Sequence, residues 1–323
     1  MDDVGRKARE LALRLPAAPG VYRFSDAAGR VLYLGRAVSL RRRVVSYWGD
    51  LGDRRHLTPM MARAAVLEAV VCDSAHEAAW LERNLLRAGL PPWNRAPSGG
   101  QEKEVWIRLS GSARAPGVAV VHRPSPSPGA RHFGPYLGGV QVRRAASGLS
   151  RVLPLAYAGS AGPTSGTRRE LARALGVSPG ERCELARTVA AVLDRDPAAV
   201  AAVRERLSAR RDAAAAALAF EFAARLQREL EALAWVTAEQ KVTRATTDDF
   251  DVRGWADGVL IHFTVRGGRL SGWVQRPCGA AAGRRLAAAT PPEWAGFAQR
   301  NAELAARLVS PVTSTGRNDR DRL

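Results

Sequence analysis

From Pro197 to about Val236 the chain is rich in Ala, Leu and Arg, and Asp196 stands as an N-cap ahead of a first-turn proline, so this stretch can only be helical. The segments around it cannot be helical throughout. Residues 13–97 read as a small α/β unit, a short sheet flanked by helices, closed by the "PSGG" boundary at Pro97 to Gly100. Beyond it, β-like runs at Val105–Leu109 and Val118–Val121 alternate with Pro/Gly/Ser loops. The expected fold class is α+β: the unit at 13–97, a basic connector at 101–178, a helical region at 183–240, a small β-containing part at 247–308, and a flexible charged tail at 310–323. Within the fourth part, "GVLIHFTVRGGRLSGWV" carries the strand pattern and Pro291 to Leu308 reads as a last helix.

Charge narrows the partner. The 323 residues carry 49 Lys or Arg against 31 Asp or Glu, a net charge of +18, which favours a polyanion, nucleic acid before membrane, because basic side chains release counterions from phosphates. Residues 101–175 hold 11 basic against 3 acidic residues, compared with 16 against 10 in residues 1–100, so the middle segment reads as a nucleic-acid track. Arg143 and Arg144 are its candidate DNA contacts, with a solvated basic face as the alternative for any single arginine. Cys72, Cys183 and Cys278 are far apart and form no CxxC pair, which fits a reducing cytoplasm and suggests neither a disulfide framework nor a zinc knuckle. No window approaches the roughly 18 apolar residues of a spanning helix, so neither export nor a membrane partner is expected.

The chemistry concentrates in residues 19–94. "GVYRF" and "VLYLG" flank "SDAAGR" and read as a β-hairpin. With a four-residue loop at Asp26–Gly29, Ser25 opposes Arg30 and Tyr22 opposes Tyr33, a register that one bulge would break. The two phenols are either a cross-strand core pair or part of a site. Ser39 suits the N-cap of a helix from Leu40, on which Leu40 and Val44 share an apolar face and Arg43 and Tyr47 an adjacent one. Arg41 and Arg42 then meet solvent or a DNA backbone. In "HEAAWLERNLLRAG", with Gly89 as the C′ residue, Glu82 is surrounded at helical spacing by Ala78, Ala79, Leu85 and Leu86. A carboxylate there is costly unless paired or metal-bound. Glu77 reads as solvated, and Asn94 lies in the loop beyond.

The order Gly20-Val21-Tyr22, Tyr33-Leu34-Gly35-Arg36, Leu40-x-x-Arg43, Tyr47, Leu81-Glu82 and Pro92-Trp93-Asn94 resembles the GIY-YIG nuclease family, most closely the N-terminal part of the bacterial UvrC excinuclease proteins. "FGPY" at Phe133–Tyr136 is similar to the segment that follows the nuclease domain in that family. "LAFEFAARLQREL" resembles its UVR motif, a helical hairpin for partner association; the plain alternative is an amphipathic helix. "VRGGRLSGW" resembles the strand pair after that motif.

The resemblance implies a metal-dependent endonuclease that nicks one strand near damage in double-stranded DNA. Tyr22 would be the general base, Glu82 the ligand of one Mg²⁺ or Mn²⁺, and Arg43 the phosphate binder with Arg36 assisting. Tyr33 and Tyr47 would orient water and phosphate, and Asn94 would brace the site. Phe220, Glu221, Ala223, Ala224 and Leu230 would dock a UvrB-like excinuclease partner. Arg36 stands where the family has Lys, only Cys183 remains of a Cys-rich stretch, and the sequence ends before the family's RNase H-like and helix-hairpin-helix elements. The expectation is therefore a short, Cho-like form without an iron–sulfur cluster or a second incision activity. The alternatives are a non-catalytic DNA- or partner-binding module and a homing-type endonuclease, the latter at odds with the UVR-like hairpin.

Overall fold

A computed structural model describes residues 9–49, 51–95, 103–110, 117–125, 128–158 and 176–309, with 170, 172 and 174. The "PSGG" boundary and the tail at 310–323 lie outside the described residues. The architecture is α+β, with three antiparallel sheets of three strands each.

The first sheet comprises β1 (Gly20–Ser25), β2 (Val31–Ala37) and β3 (Val66–Val71), ordered β2-β1-β3. The hairpin forms, but its register differs from the expected one. Asp26 N donates to Arg30 O, Ser25 pairs with Val31 and Phe24 with Tyr33, because a bulge falls between Phe24 and Ser25. Tyr22 therefore opposes Gly35, and Tyr33 is its diagonal neighbour on the same face.

Helix α1 (Leu40–Val45) is capped by Ser39 and seats Leu40 and Val44 in the core under this sheet. Helix α2 (Ala75–Ala88) is capped by Ser74, whose Oγ accepts from Glu77 N at 3.0 Å. Gly89 ends α2 in extended backbone rather than as a left-handed C′ residue. Glu77 is buried, contrary to the solvated reading: Asp73 N (2.6 Å) and Lys241 N (2.7 Å) donate to its carboxylate, which ties the start of α2 to a segment 164 residues away. Burial drives its pKa up, and those backbone donors oppose the shift.

The second sheet, β4 (Glu104–Ser110), β5 (Val118–Val121) and β6 (Ala130–Leu137), is ordered β5-β4-β6. It shares a core with α3 (Gly139–Val152), α4 (Arg182–Leu193), α5 (Pro197–Ala216) and α6 (Phe220–Thr237). The long helical stretch is thus a hairpin of two helices. It breaks where Leu218 takes a left-handed backbone, φ 58°, a conformation that costs a non-glycine residue about 1–2 kcal/mol and that the sequence does not announce.

The third sheet is β7 (Phe250–Ala256), β8 (Val259–Arg266) and β9 (Arg269–Pro277), followed by α7 (Ala280–Ala288) and α8 (Pro292–Leu308). A Cβ at Gly254 would strike the backbone oxygen of Ala298, so glycine is what lets β7 and α8 approach. The segments read separately as 13–97 and 247–308 share one core: Val21, Leu34, Trp80 and Leu81 pack with Ile261, Phe263, Trp273, Trp294 and Phe297. Helix α8 also reaches the first sheet, where buried Asn301 accepts from Val71 N at 2.7 Å and donates to Val71 O at 3.1 Å. One side-chain amide thus reproduces a strand's two ladder bonds at the outer edge of β3.

His76 on α2 joins this unit to the second. Its Nε2 accepts from Leu137 N at 3.1 Å, and its ring centroid lies 4.1 Å from that of Trp235 on α6. Burial, then the charges of Arg195 and Arg36, lower its pKa to about 3. An unfolded histidine takes up its proton near pH 6.5, so below that value the unfolded state binds more protons and stability falls as the pH falls towards 3. Urea unfolding at about pH 7.5 and about pH 5 is expected to show a larger loss for the wild type than for His76→Gln, which keeps an acceptor but does not titrate. Equal losses would exclude His76 as the source.

Candidate active site

Tyr22 sits at the centre of the middle strand, fully buried, with its hydroxyl 2.8 Å from that of Tyr47 and within 3.4 Å of Arg43 Nε, the donor. The rings of Tyr22, Tyr33 and Tyr47 form a triangle with centroid separations of 5.9, 6.3 and 6.2 Å. Gly35 makes this possible. A Cβ there would lie 2.6 Å from the Tyr22 hydroxyl and 2.9 Å from the Tyr33 ring, so the glycine opposite Tyr22 is the space that the phenols occupy.

Arg43 and Tyr47 arrive from α1 and the 3₁₀ turn Ser46–Trp48 that continues it. The helix exists because Ser39 caps it and Leu40 and Val44 anchor it, and that anchoring leaves Arg43 on the tyrosine side. Burial raises the Tyr22 pKa well above the usual tyrosine value; Tyr47 and Tyr33 add to the shift and Arg43 opposes it. Tyr33 is raised as well, by burial and by Tyr47, with Arg43 opposing and Glu82 contributing. Desolvation works against the Arg43 charge, but the three phenols hold its pKa above the ordinary arginine value. Tyr22 and Tyr33 therefore rest as neutral phenols beside a fixed cation.

Glu82 lies beside this cluster on α2, among buried Ala78, Ala79, Leu85 and Leu86, as its helical spacing requires. Its Oε1 accepts from Arg36 N at 3.1 Å and its Oε2 is 3.3 Å from Arg36 Nε. Asn94 stays outside the tyrosine triangle: Leu34 N donates to its Oδ1 at 2.9 Å and its Nδ2 donates to Leu34 O at 2.8 Å. It closes the outer edge of β2 as Asn301 closes that of β3. The first was read as a brace; the second has no local sequence signal, since its partner is 230 residues away.

The remaining expected residues are dispersed. Arg41 and Arg42 are exposed on α1, with Arg41 Nε donating to Leu15 O at 2.7 Å. Arg143 is exposed and Arg144 half-buried on α3, which packs on the second sheet. Phe220, Glu221 and Ala224 are exposed, whereas Ala223 and Leu230 lie inside the helical core and are not available to a partner. Leu218 and Phe222, 73% and 39% exposed, extend the apolar tip of the hairpin. Their signal in the sequence was an apolar residue two positions to either side of Phe220.

Residues 18–95 match the UvrC-like GIY-YIG domain. UvrABC system protein C of Geobacter metallireducens is 32% identical over 277 residues, 80% of this chain and 43% of that protein, and its counterpart from Symbiobacterium thermophilum is 32% identical over 80% of this chain and 42% of its own length. The chain thus spans less than half the length of these curated relatives. The crystal structure of the GIY-YIG N-terminal endonuclease domain of UvrC from Thermotoga maritima, bound to its catalytic magnesium, is 32% identical and matched over its full length and 29% of this chain, with a TM-score of 0.26. On the sequence match, the N-terminal part of the chain, residues 18–95, belongs to the UvrC-like GIY-YIG family.

Proposed function

We propose that the chain is a divalent-metal-dependent DNA endonuclease that makes a single-strand incision beside damage in nucleotide excision repair, acting in the cytoplasm through GIY-YIG chemistry. The supporting observation is that the Tyr22–Tyr47 hydroxyl pair, with Arg43 at 3.4 Å, has the Arg36–Glu82 pair close enough for the Glu82 charge to act on Tyr33.

Phosphodiester hydrolysis needs a base for the attacking water, cations for the phosphoryl oxygens and help for the leaving 3′ oxygen. Tyr22 takes the proton from water once it has lost its own, and Arg43, its only cationic neighbour among the causes of its shift, favours that loss. Arg43 binds non-bridging oxygens, with Arg36 assisting, and Tyr33 and Tyr47 orient water and phosphate. Asn94 acts at one remove by fixing Leu34, the residue before Gly35.

The donor set fits one hard cation. Among the described residues no group of three His, Cys, Asp or Glu could cage a metal, and a lone carboxylate suits Mg²⁺ or Mn²⁺ that keeps most of its waters. Glu82 would hold the ion, which would supply polarisation of the phosphate and stabilisation of the leaving oxygen. No described helix is long and apolar enough to cross a membrane.

The test is nicking of a lesion-bearing and an intact duplex with and without Mg²⁺. Metal-dependent nicking that favours the lesion is expected. Binding without cleavage would leave a non-catalytic module, and cleavage indifferent to damage a homing-type nuclease.

For the partner, the exposed tip formed by Leu218, Phe220, Glu221, Phe222 and Ala224 is proposed to dock a UvrB-like excinuclease protein. Phe220→Asp places a charge on that apolar tip and is expected to weaken association at least tenfold by titration, about 1.4 kcal/mol, while nicking of a pre-opened substrate is unchanged. Unaltered association would return the hairpin to a structural role.

A further inference from the structure

Arg54, in the 3₁₀ turn Gly52–Leu57, occupies a position that the mechanism above does not use. Its Cζ lies 5.0 Å from the centroid of the Tyr47 ring, and the Cζ of Arg43 lies 5.9 Å from the same centroid, so two guanidinium groups border one phenol. Arg54 Nη2 donates to Ser46 Oγ at 3.2 Å, and Ser46 Oγ in turn donates to the backbone oxygen of Arg43 at 2.7 Å, which ties the Arg54 guanidinium to the end of α1. Arg54 Nη1 is buried without a hydrogen-bond partner.

The groups that hold Arg54 are therefore an aromatic ring and a serine hydroxyl. Among the described residues it forms no ion pair with a carboxylate, unlike Arg23, Arg36 and Arg151, each of which faces a glutamate. Removing a guanidinium from water without an anion is costly, and doing so next to a hydroxyl pair that borders a phosphate-handling arginine leaves positive charge where an anion gains most. A planar guanidinium also has donors to spare after one bond to Ser46, in a fork that matches two oxygens of one phosphate.

We infer that Arg54 is a second phosphate-binding residue of this centre, contacting the DNA backbone next to the phosphate held by Arg43. This rests on the reading that the centre acts on DNA. Tyr47, bordered by both arginines and bonded to Tyr22, would keep the two phosphate contacts in register with the base.

The test separates binding from cleavage. Duplex binding, followed by fluorescence anisotropy in EDTA over a series of salt concentrations, is expected to show a slope of log affinity against log salt about 0.9 shallower for Arg54→Gln than for the wild type, the effect of one lost phosphate contact. With Mg²⁺, nicking by Arg54→Gln is expected to fall by about 10², and Arg54→Lys to keep the wild-type slope while nicking falls roughly tenfold, since an ammonium retains the charge but not the fork. A wild-type slope in Arg54→Gln overturns the inference, as does a wild type that does not bind duplex. Should Arg54→Gln fail to fold, Arg54→Lys at an unchanged melting temperature decides, and a wild-type nicking rate overturns the inference. A wild type that binds but never nicks counts against the nuclease reading, and the slope comparison still judges Arg54.

Discussion

Glu82→Gln is expected to reduce Mg²⁺-dependent cleavage to background while DNA affinity stays within about twofold, because one carboxylate contributes little to an interface dominated by phosphate contacts. The amide keeps the shape of the side chain and an oxygen for Arg36 N, which now donates to Oε1 at 3.1 Å, so the end of β2 stays in place. What disappears is the negative charge that would attract a divalent cation and that faces Arg36 Nε at 3.3 Å. That pair is partly open, with the Arg36 side chain 34% exposed, so its loss is expected to cost stability no more than about 1 kcal/mol. Cleavage and melting temperature measured on the same preparation separate the two effects. Wild-type cleavage in excess EDTA would contradict the role given to Glu82.

Tyr22→Phe is expected to lower the cleavage rate by roughly 10²–10⁴, the range for loss of a general base. The ring is wholly buried and in contact with Phe24, Tyr33 and Tyr47, and phenylalanine preserves that packing. Only the bonds to the hydroxyl go, those from Arg43 and with Tyr47, so stability is expected to change by about 1 kcal/mol per bond. The pH profile adds a sign. Because burial keeps the Tyr22 proton on well above the usual tyrosine value, the wild-type rate is expected to rise about tenfold per pH unit through the neutral and mildly alkaline range, and the residual rate of the variant to lack that rise. Equal rates for the two proteins would return Tyr22 to a role in the core.

The candidate site was legible in the sequence where chemistry and local spacing coincide. Glu82 stood out because a carboxylate inside an apolar helical stripe needs a partner, and it has one in Arg36. Ser39, Leu40 and Val44 announced α1 and with it the side on which Arg43 lies. The register of the hairpin was not legible, since the bulge between Phe24 and Ser25 depends on how the loop closes through Asp26 and Arg30. Tyr22 and Tyr33 still meet, because both stay on one face of the sheet and rings reach a diagonal neighbour. Glu77 was misread for a different reason. Its helical neighbours say nothing about Lys241 N, which lies 164 residues further along the chain. The same distance hid the common core of the first and third sheets and the Asn301 clip, whose hydrogen bonds join positions that no local pattern relates. The turn at Leu218 escaped notice because the chain makes it without glycine or proline. Arg54 was unremarkable in a run of basic residues until the fold laid it against Tyr47.

If one hydrolytic centre in this chain cuts a DNA strand and releases the 3′ oxygen, the ends of the cut strand record it. The wild-type protein would be incubated with an end-labelled duplex carrying a single adduct in a pre-opened bubble, with Mg²⁺ or with excess EDTA, and the products resolved before and after incubation with a DNA polymerase. The expected result is one nick in one strand, only with Mg²⁺, leaving a 3′-hydroxyl that the polymerase extends. A duplex bound at saturation and left intact in Mg²⁺, or a cut end that cannot be extended because the phosphate remains on its 3′ side, would contradict it.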